Sequence, residues 1–202
     1  MKKICIFGAG ASARETYWIA MRCGYEVDAF LDLYDGYFYE NVPILSESFF
    51  DKKIHFAVIA VGSPKLRHKI SSKILDKYGD VFISVIDPSV TLLSPNIKIG
   101  IGAVIAPQCV LTCDISIGSF CQLNVATSIM HDFCAGDFFT TAPGVKINGR
   151  VKVGDMVYFG TNSSTKEEIN ITSDVIIGAG ACVVKDLEES GTYIGVPAKR
   201  LK

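Results

Sequence analysis

The sequence predicts a small α/β Rossmann-like domain over residues 1–85, followed by a parallel β-helix of hexapeptide repeats with a C-terminal tail over residues 97–202. Three observations lead to this fold class. The first 85 residues alternate strand-like and helix-like segments, and residues 97–186 keep an unbroken six-residue register. Between them, IDPSVTLLSPN at 86–96 holds two prolines and indicates a linker into the first coil. Such a change of pattern along the chain is typical of two structural units.

The N-terminal segments predict a parallel sheet covered by helices. Strands are predicted at ICIFGAG, EVDAFLD, HFAVIAVG and VFISVI, and helices at ASARETYWIAMRCGY and PKLRHKISSKILDKYG, the second closed by Gly79. Strands that alternate with helices build sheets of this kind.

A glycine-rich turn joins the first strand to the first helix. Gly8, Gly10 and Ala13 fit the G-x-G-x-x-A pattern, with Ala11 and Ser12 inside the turn. Free backbone N–H groups and the helix dipole can hold a phosphate at such a turn, which predicts a nucleotide site. A purely structural strand-to-helix turn is the alternative.

Two further residues support the nucleotide interpretation. Asp32 ends the second strand about twenty residues beyond the glycines, where an acidic ribose or base ligand stands in such domains. Gly62, in AVGS at 60–63, follows another strand that would end at the same sheet crevice.

The repeat occupies fifteen successive blocks of six from residue 97. The third place of the block is a large apolar residue in twelve of the fifteen, with Ala135, Thr141 and Thr165 as the exceptions. Six residues suit one short strand and a turn, and three such sides close a coil of eighteen. A β-sandwich with fortuitous spacing is the alternative, but sandwich strands lack a constant hexad register. The block SSTKEE at 163–168 breaks the aliphatic pattern and predicts an outward bulge, as a loop or a charged edge.

Composition excludes several classes of protein. Hydrophobic residues make up 49% of the chain, and 20 basic against 21 acidic residues give a net charge of -1, so a globular protein without a nucleic-acid surface is expected. No apolar segment reaches the roughly 18 residues of a membrane-spanning helix, and the apolar run of MKKICIFGAG is too short for a signal peptide. Seven cysteines without a C-x-x-C pair indicate reduced thiols in the cytoplasm, and no metal site is expected.

The pair His131 and Asp132 interrupts a region of small and aliphatic residues. Histidine titrates near pH 6.5 and can accept a proton at cytosolic pH, so His131 is the candidate general base. The alternative is a structural histidine in the side of the coil, with its ring nitrogens hydrogen-bonded to the neighbouring coil. His55 and His68 are expected to be structural or solvated. Cys134 lies three residues from His131 and is a less favoured candidate nucleophile.

Five segments carry a resemblance to a known family. They are FGAGAS, FLD, NVATSIMHD, PGVKINGRVKVGD and the C-terminal GVPAKRL. Together they resemble the left-handed β-helix nucleotide-sugar acetyltransferases, in particular the subgroup of the bacillosamine-pathway N-acetyltransferase and the sialic acid O-acetyltransferases. Periodicity alone does not determine the handedness; the left-handed coil, the homotrimer and the use of acetyl-CoA are what the resemblance implies.

The resemblance also implies roles for individual residues. His131 matches the base, Asp132 the residue that orients it, Asn124 a sugar ligand and Gly149 a backbone N–H donor to the thioester carbonyl. By position along the coil, four residues are expected to line the coenzyme A arm: Gly160, Gly178, Gly195 and Pro197.

The chain departs from the family pattern at two places. Relatives commonly have Ser-Gly-His-Gly where this chain has Gly10, Ala11, Ser12 and Ala13, so a histidine contact to the nucleotide is missing. A second histidine near the acyl group is replaced by Thr140, which is assigned here to the acyl-donor site.

The predicted function is an acetyl-CoA-dependent N-acetyltransferase in bacterial surface-glycan biosynthesis, with a nucleotide-linked 4-amino-4,6-dideoxyhexose as acceptor and direct transfer. A sugar O-acyltransferase and a noncatalytic nucleotide-sugar-binding protein remain alternatives, and a nicotinamide-dependent oxidoreductase is less favoured because a second catalytic domain is missing. The nucleotide base, the sugar epimer and the size of the acyl group stay open.

Overall fold

The N-terminal part is a five-stranded sheet with two helices. The computed structural model describes residues 3–33 and 36–201. The elements are β1 Lys3–Phe7, α1 Ala11–Arg22, β2 Val27–Leu31, β3 Gly36–Tyr39, β4 Val42–Leu45, a 3₁₀ turn Glu47–Phe49, β5 His55–Ile59 and α2 Pro64–Tyr78. The sheet order is β3-β4-β2-β1-β5, in which β4, β2, β1 and β5 run parallel and β3 is an antiparallel edge.

Local chemistry explains where α2 begins and ends. Pro64 occupies the first helical turn, where its missing N–H costs nothing, and the Ser63 hydroxyl accepts a hydrogen bond from the Leu66 N–H. The helix ends at Gly79, whose φ of 79° few other residues adopt readily. Within the described residues, no helix is both long and apolar enough to cross a membrane.

Residues 97–201 form a coil with three faces. Strand pairs repeat every eighteen residues up to Cys182–Val183 and lie parallel; the pair Val175 and Gly191 is sixteen residues apart, and the C-terminal strand is antiparallel. The face against the N-terminal domain is called the domain face; its strands are Val85–Ile86, Val104–Ile105, Gln122–Leu123, Thr140–Thr141, Tyr158–Phe159, Val175–Ile177, Gly191–Ile194 and Lys199–Arg200. The second face consists of Thr91–Leu92, Val110–Leu111, Ser128–Ile129, Lys146–Ile147, Ser164–Thr165 and Cys182–Val183. The third face consists of Lys98–Ile99, Ser116–Ile117, Cys134–Ala135, Lys152–Val153 and Asn170–Ile171.

The hexad pattern fills the interior of the coil. From Ile105 onward every residue at the third place of a block is buried, including Ala135, Thr141 and Thr165. The residues at the first place, from Ala103 to Ala181, are buried as well. The outward loop predicted for SSTKEE is wrong: Ser163 and Thr165 point into the core, and Ser164 pairs with strands on both sides. The charged residues of the block, at 166–168, are exposed.

Glycines at the fourth place of a block allow neighbouring coils to approach. A Cβ built on Gly100 would lie 2.5 Å from the backbone nitrogen of Ser119, and one on Gly160 would lie 2.6 Å from that of Ala179. Such separations are far inside ordinary contact distance, so a side chain would push the coils apart. The recurring glycine therefore reflects backbone packing between coils.

The coil begins upstream of the first hexad. The segment VFISVI is divided: Phe82 bridges to Ala57 in the N-terminal sheet, whereas Val85 and Ile86 join the domain face. The stretch 86–96, for which a linker was predicted, also contributes Thr91–Leu92 to the second face. The N-terminal domain is thus continuous with the coil.

Candidate active site

His131 lies at a corner of the coil, between the second and third faces. It follows the strand Ser128–Ile129 and precedes Cys134–Ala135. Its side chain is 46% exposed, and its Nδ1 lies 2.7 Å from the Asp132 carboxylate. Asp132 is itself held in the left-handed conformation, with φ of 59°, which aspartate tolerates better than most residues.

The Asp132 contact determines which nitrogen of His131 carries the proton. An ionised carboxylate only accepts hydrogen bonds, so Nδ1 donates to Asp132. The lone pair of the neutral ring is then on Nε2, for which the described residues provide no hydrogen-bond partner. The corner can therefore accept a proton from a ligand.

Gly149 occupies the equivalent corner of the next coil and lies against the His131 ring. A Cβ on Gly149 would be 2.5 Å from both Cε1 and Nε2, so only glycine leaves room for the ring in this position. No described residue accepts a hydrogen bond from the Gly149 backbone N–H. A ring nitrogen and a backbone N–H, both without a hydrogen-bond partner among the described residues, thus belong to two residues in contact at this corner, a combination that suits acyl transfer.

A cleft of about 400 Å³ separates α1 from the domain face. Four of the sequence-predicted site residues line it: Ser12, Gly62, Asn124 and Thr140. Its walls are mostly apolar, with Trp18 on one side and Tyr158 on the other. This arrangement, an apolar cavity with a few polar groups between two domains, is typical of small-molecule sites.

The glycine turn has both a structural and a ligand-accessible part. Gly8 adopts φ of 110°, and a Cβ there would lie 3.1 Å from the Ala60 carbonyl oxygen, so it serves the packing of the turn. The Ala9 N–H donates to the Asp32 carboxylate at 2.9 Å, which ties Asp32 to the turn itself. Gly10 and Ala11 line a smaller cavity of about 280 Å³ next to the aromatic ring of Tyr39.

Thr140 is already engaged within the protein. Its hydroxyl donates to the Phe138 carbonyl oxygen at 3.0 Å and accepts a hydrogen bond from Arg67. The side chain is buried and its hydroxyl is used within the protein, so it does not offer an acyl donor the free hydrogen-bond donor that a histidine at this place would offer; it borders the cleft instead.

Most of the residues assigned to coenzyme A lie on a different corner of the coil from His131. Gly160, Gly178 and Gly195 follow strands of the domain face, and Pro197 lies in the loop after the same face. Only Gly149 is at the His131 corner. Within one chain, the predicted site residues therefore do not form a single cluster: one group surrounds His131, a second lines the cleft and the glycine turn, and the remaining coenzyme A residues lie further along the corner after the domain face.

The remaining histidines and the cysteines have other surroundings. His55 is buried, with Nδ1 accepting from the Asp51 N–H and Nε2 at 3.0 Å from Asp28. His68 packs edge-on against Phe138. All seven cysteines are free, and burial raises the pKa of Cys121 to about 12. Among the described residues, no group of three or more His, Cys, Asp or Glu side chains could hold a metal ion.

Sequence reasoning did not identify several residues that line the cleft. Glu15, Trp18 and Arg22 face it from α1, and Arg14 lies beside the glycine turn. No motif distinguishes them from an ordinary exposed helix face. Only the packing of α1 against the coil brings them to the cavity.

Comparison with known proteins agrees with this geometry. Residues 3–74 match the PglD N-terminal domain family. A GDP-perosamine N-acetyltransferase of Escherichia coli O157:H7 is 33% identical over 186 residues, which cover 87% of this chain and 82% of that protein.

Two solved structures share the whole fold. The acetyltransferase domain of PglB from Neisseria gonorrhoeae FA1090 superposes with a TM-score of 0.93 at 25% identity and full coverage of both chains. PerB from Caulobacter crescentus, in complex with CoA and GDP-perosamine, has a TM-score of 0.91 at 27% identity, covering 98% of this chain and 97% of that one. The predicted fold class, an α/β domain followed by a left-handed parallel β-helix, is confirmed. The chain therefore belongs to the hexapeptide-repeat nucleotide-amino-sugar N-acetyltransferases of the bacillosamine and perosamine subgroup, a family of acyltransferases.

Proposed function

We propose that this protein transfers the acetyl group of acetyl-CoA to the amino group of a nucleotide-linked 4-amino-4,6-dideoxyhexose, with His131 as general base. The observation that carries the proposal is the His131 corner. There Nδ1 is engaged by Asp132, Nε2 is available, and the Gly149 N–H lies beside the ring.

Each group at this corner has a distinct task. When bound, acetyl-CoA supplies the acyl group as a reactive thioester. The His131 Nε2 takes the proton from the sugar amine as the C–N bond forms, and the imidazolium can return it to the departing thiolate as the C–S bond breaks. Asp132 stabilises the imidazolium, and the Gly149 N–H donates to the carbonyl oxygen as negative charge develops. Transfer is direct, without an acyl-enzyme.

The cleft and the glycine turn are the proposed site for the nucleotide sugar. Gly10, Ala11 and Ser12 begin α1, where unpaired N–H groups favour a diphosphate, and Arg14 adds a positive charge. Asn124 and Gly62 lie further along the cleft, towards the coil. The E. coli relative is named for GDP-perosamine, so GDP-linked sugars are the first acceptors to test.

A homotrimer would unite the two groups of site residues. The cleft opens at the corner after the domain face, and His131 lies at the corner after the second face. Prisms packed side by side can bring His131 of one copy to the cleft of its neighbour, with the coenzyme A arm along Gly160, Gly178, Gly195 and Pro197. The seven free thiols fit the cytoplasmic location that we also propose.

The test is an acceptor panel. Purified protein is incubated with acetyl-CoA and GDP-, UDP- or dTDP-linked 4-amino-4,6-dideoxyhexoses, the released CoA thiol is followed, and products are identified by mass. We expect an N-acetylated product from at least one acceptor. Transfer only to the matched 4-hydroxy sugars would instead identify an O-acyltransferase, and tight binding of a nucleotide sugar by folded protein without turnover would identify a binding protein.

A further inference from the structure

Arg67 is a fully buried arginine that joins the N-terminal domain to the coil. It lies on α2, and its side chain is completely inaccessible to solvent. Nε donates to the Phe120 carbonyl at 2.8 Å and Nη2 to the Phe138 carbonyl at 3.0 Å, both at corners that precede the domain face. On its own side of the junction, Nη1 donates to the Val61 carbonyl at 2.8 Å.

The charge of Arg67 has no carboxylate partner among the described residues. Backbone carbonyls and the Thr140 hydroxyl are its acceptors instead. Burial lowers its pKa to about 10, so the group remains protonated at neutral pH. Burying an unpaired cation is unfavourable unless its donors are satisfied, and only the assembled junction satisfies these donors.

The acceptors of Arg67 stand next to the cleft. Val61 precedes Gly62, and Thr140 is bonded to Arg67 directly; Gly62 and Thr140 both line the cavity. The rings of Phe120 and Phe138, whose carbonyl oxygens accept from Arg67, stack with their centroids 5.3 Å apart, and Phe82 packs edge-on against Phe120. One side chain therefore joins the segment that follows β5 to the strand Thr140–Thr141.

We propose that Arg67 is a positioning residue for the sugar nucleotide: it sets the width of the cleft between Gly62 and Thr140. The inference rests on the proposed function, because it concerns the site assigned to that ligand. It predicts a selective effect, in which loss of the Arg67 contacts weakens binding of the acceptor and leaves the His131 corner unaffected.

Three variants and one control test this role. Thr140→Val removes one acceptor while keeping the side-chain shape; Arg67→Lys keeps the charge but not the planar set of donors; Arg67→Met removes both. Lys77→Met is the control, because Lys77 lies on the same helix and pairs with Glu47 inside the N-terminal domain. KM for each substrate, kcat and Tm are measured, together with amide exchange over residues 61–70.

The expected result is a split between the two substrates. Thr140→Val should raise KM for the nucleotide sugar about 3- to 10-fold, the range of one hydrogen bond, with KM for acetyl-CoA unchanged. The Arg67 variants should raise it further and speed amide exchange over 61–70, whereas Lys77→Met should do neither. A lower Tm with both KM values unchanged would overturn the proposal and leave Arg67 a stabilising residue only.

Failure of the proposed function would look different. Wild-type protein that turns over no acceptor contradicts the acetyltransferase assignment and, with it, the role of Arg67 in acceptor binding. Amide exchange over 61–70 would still show whether Arg67 holds the two domains together.

Discussion

Gly149→Ala is the substitution that tests the corner geometry most closely. Gly149 is not in the left-handed region, so its backbone accepts alanine. The added Cβ would lie 2.5 Å from His131 Cε1 and Nε2, whereas carbon atoms in contact are about 3.5 Å apart. The ring must therefore move by about 1 Å, and because its side chain is 46% exposed it can swing towards solvent.

This displacement should reduce the rate without unfolding the protein. A shift of about 1 Å at a reacting group can cost about 100-fold in rate, which corresponds to about 2.7 kcal/mol. Replacing glycine by alanine at a compatible backbone position stabilises a protein by about 0.4–1 kcal/mol, so Tm should stay level or rise slightly. Steady-state release of CoA thiol measures the first effect, and thermal unfolding measures the second.

A double-mutant cycle shows whether the loss acts through His131. In the His131→Ala background the extra methyl group has no ring to displace, so adding Gly149→Ala should cause no further loss. The substitution keeps the backbone N–H, which separates ring displacement from loss of the proposed donor. A rate within 3-fold of wild type for Gly149→Ala alone, or an undiminished loss in the His131→Ala background, would refute the reasoning.

Other side chains give further tests. Asp132→Asn keeps a residue that tolerates φ of 59° but loses the charge beside Nδ1, so kcat should fall about 10- to 100-fold with KM little changed; unchanged kcat would contradict this. Burial opposes ionisation of Asp87, but hydrogen bonds from Arg22 and Ser89 outweigh it and lower the pKa of the carboxyl group. The ionised Asp87 therefore stabilises the folded protein above about pH 4, and this stabilisation is lost as the pH falls further. Between about pH 6 and pH 3, Tm should therefore fall less for Asp87→Asn than for wild type, and an equal fall would argue against the pairing. Cys134→Ser should retain wild-type kcat in the thiol-release assay, because Cys134 belongs to the third face and not to the corner; a 10-fold loss would revive covalent catalysis.

The coil was predictable because its register is constant over the repeats. From residue 98 to Val183 paired strands are eighteen residues apart, as Lys98 is from Ser116, and only at the C-terminal end does the offset fall to sixteen, between Val175 and Gly191. Upstream the offset is nineteen, since Val85 pairs with Val104 and Thr91 with Val110. The first coil is one residue longer, so the six-residue register is unbroken only from residue 97, and the sequence therefore predicts a linker over 86–96.

The junction between the domains could not be predicted from local pattern. Arg67 stands in KLRHK, where four of five residues are basic, a composition typical of a solvated helix face. It is buried because the aromatic corners at Phe120 and Phe138 surround it, and these residues are more than fifty positions away along the chain. The hydrogen bond from Arg67 to the Thr140 hydroxyl could not be predicted for the same reason, because the two residues are 73 positions apart in the chain.

The proposed catalytic corner was predictable in part. The resemblance to relatives indicated His131, Asp132 and Gly149, and the spacing of eighteen places the last under the first. Local sequence did not indicate that the cleft and His131 lie on different corners of the same prism. That follows from the order of the three faces.

The most direct test of the account is the rate of acetyl transfer by wild type and by His131→Ala, with the acceptor that the panel identifies. A general base contributes about 100- to 10,000-fold, so the variant should lose at least about 100-fold in kcat while retaining the Tm of wild type. A folded His131→Ala protein that transfers acetyl groups within 3-fold of the wild-type rate would contradict the role of His131 and of the corner built around it.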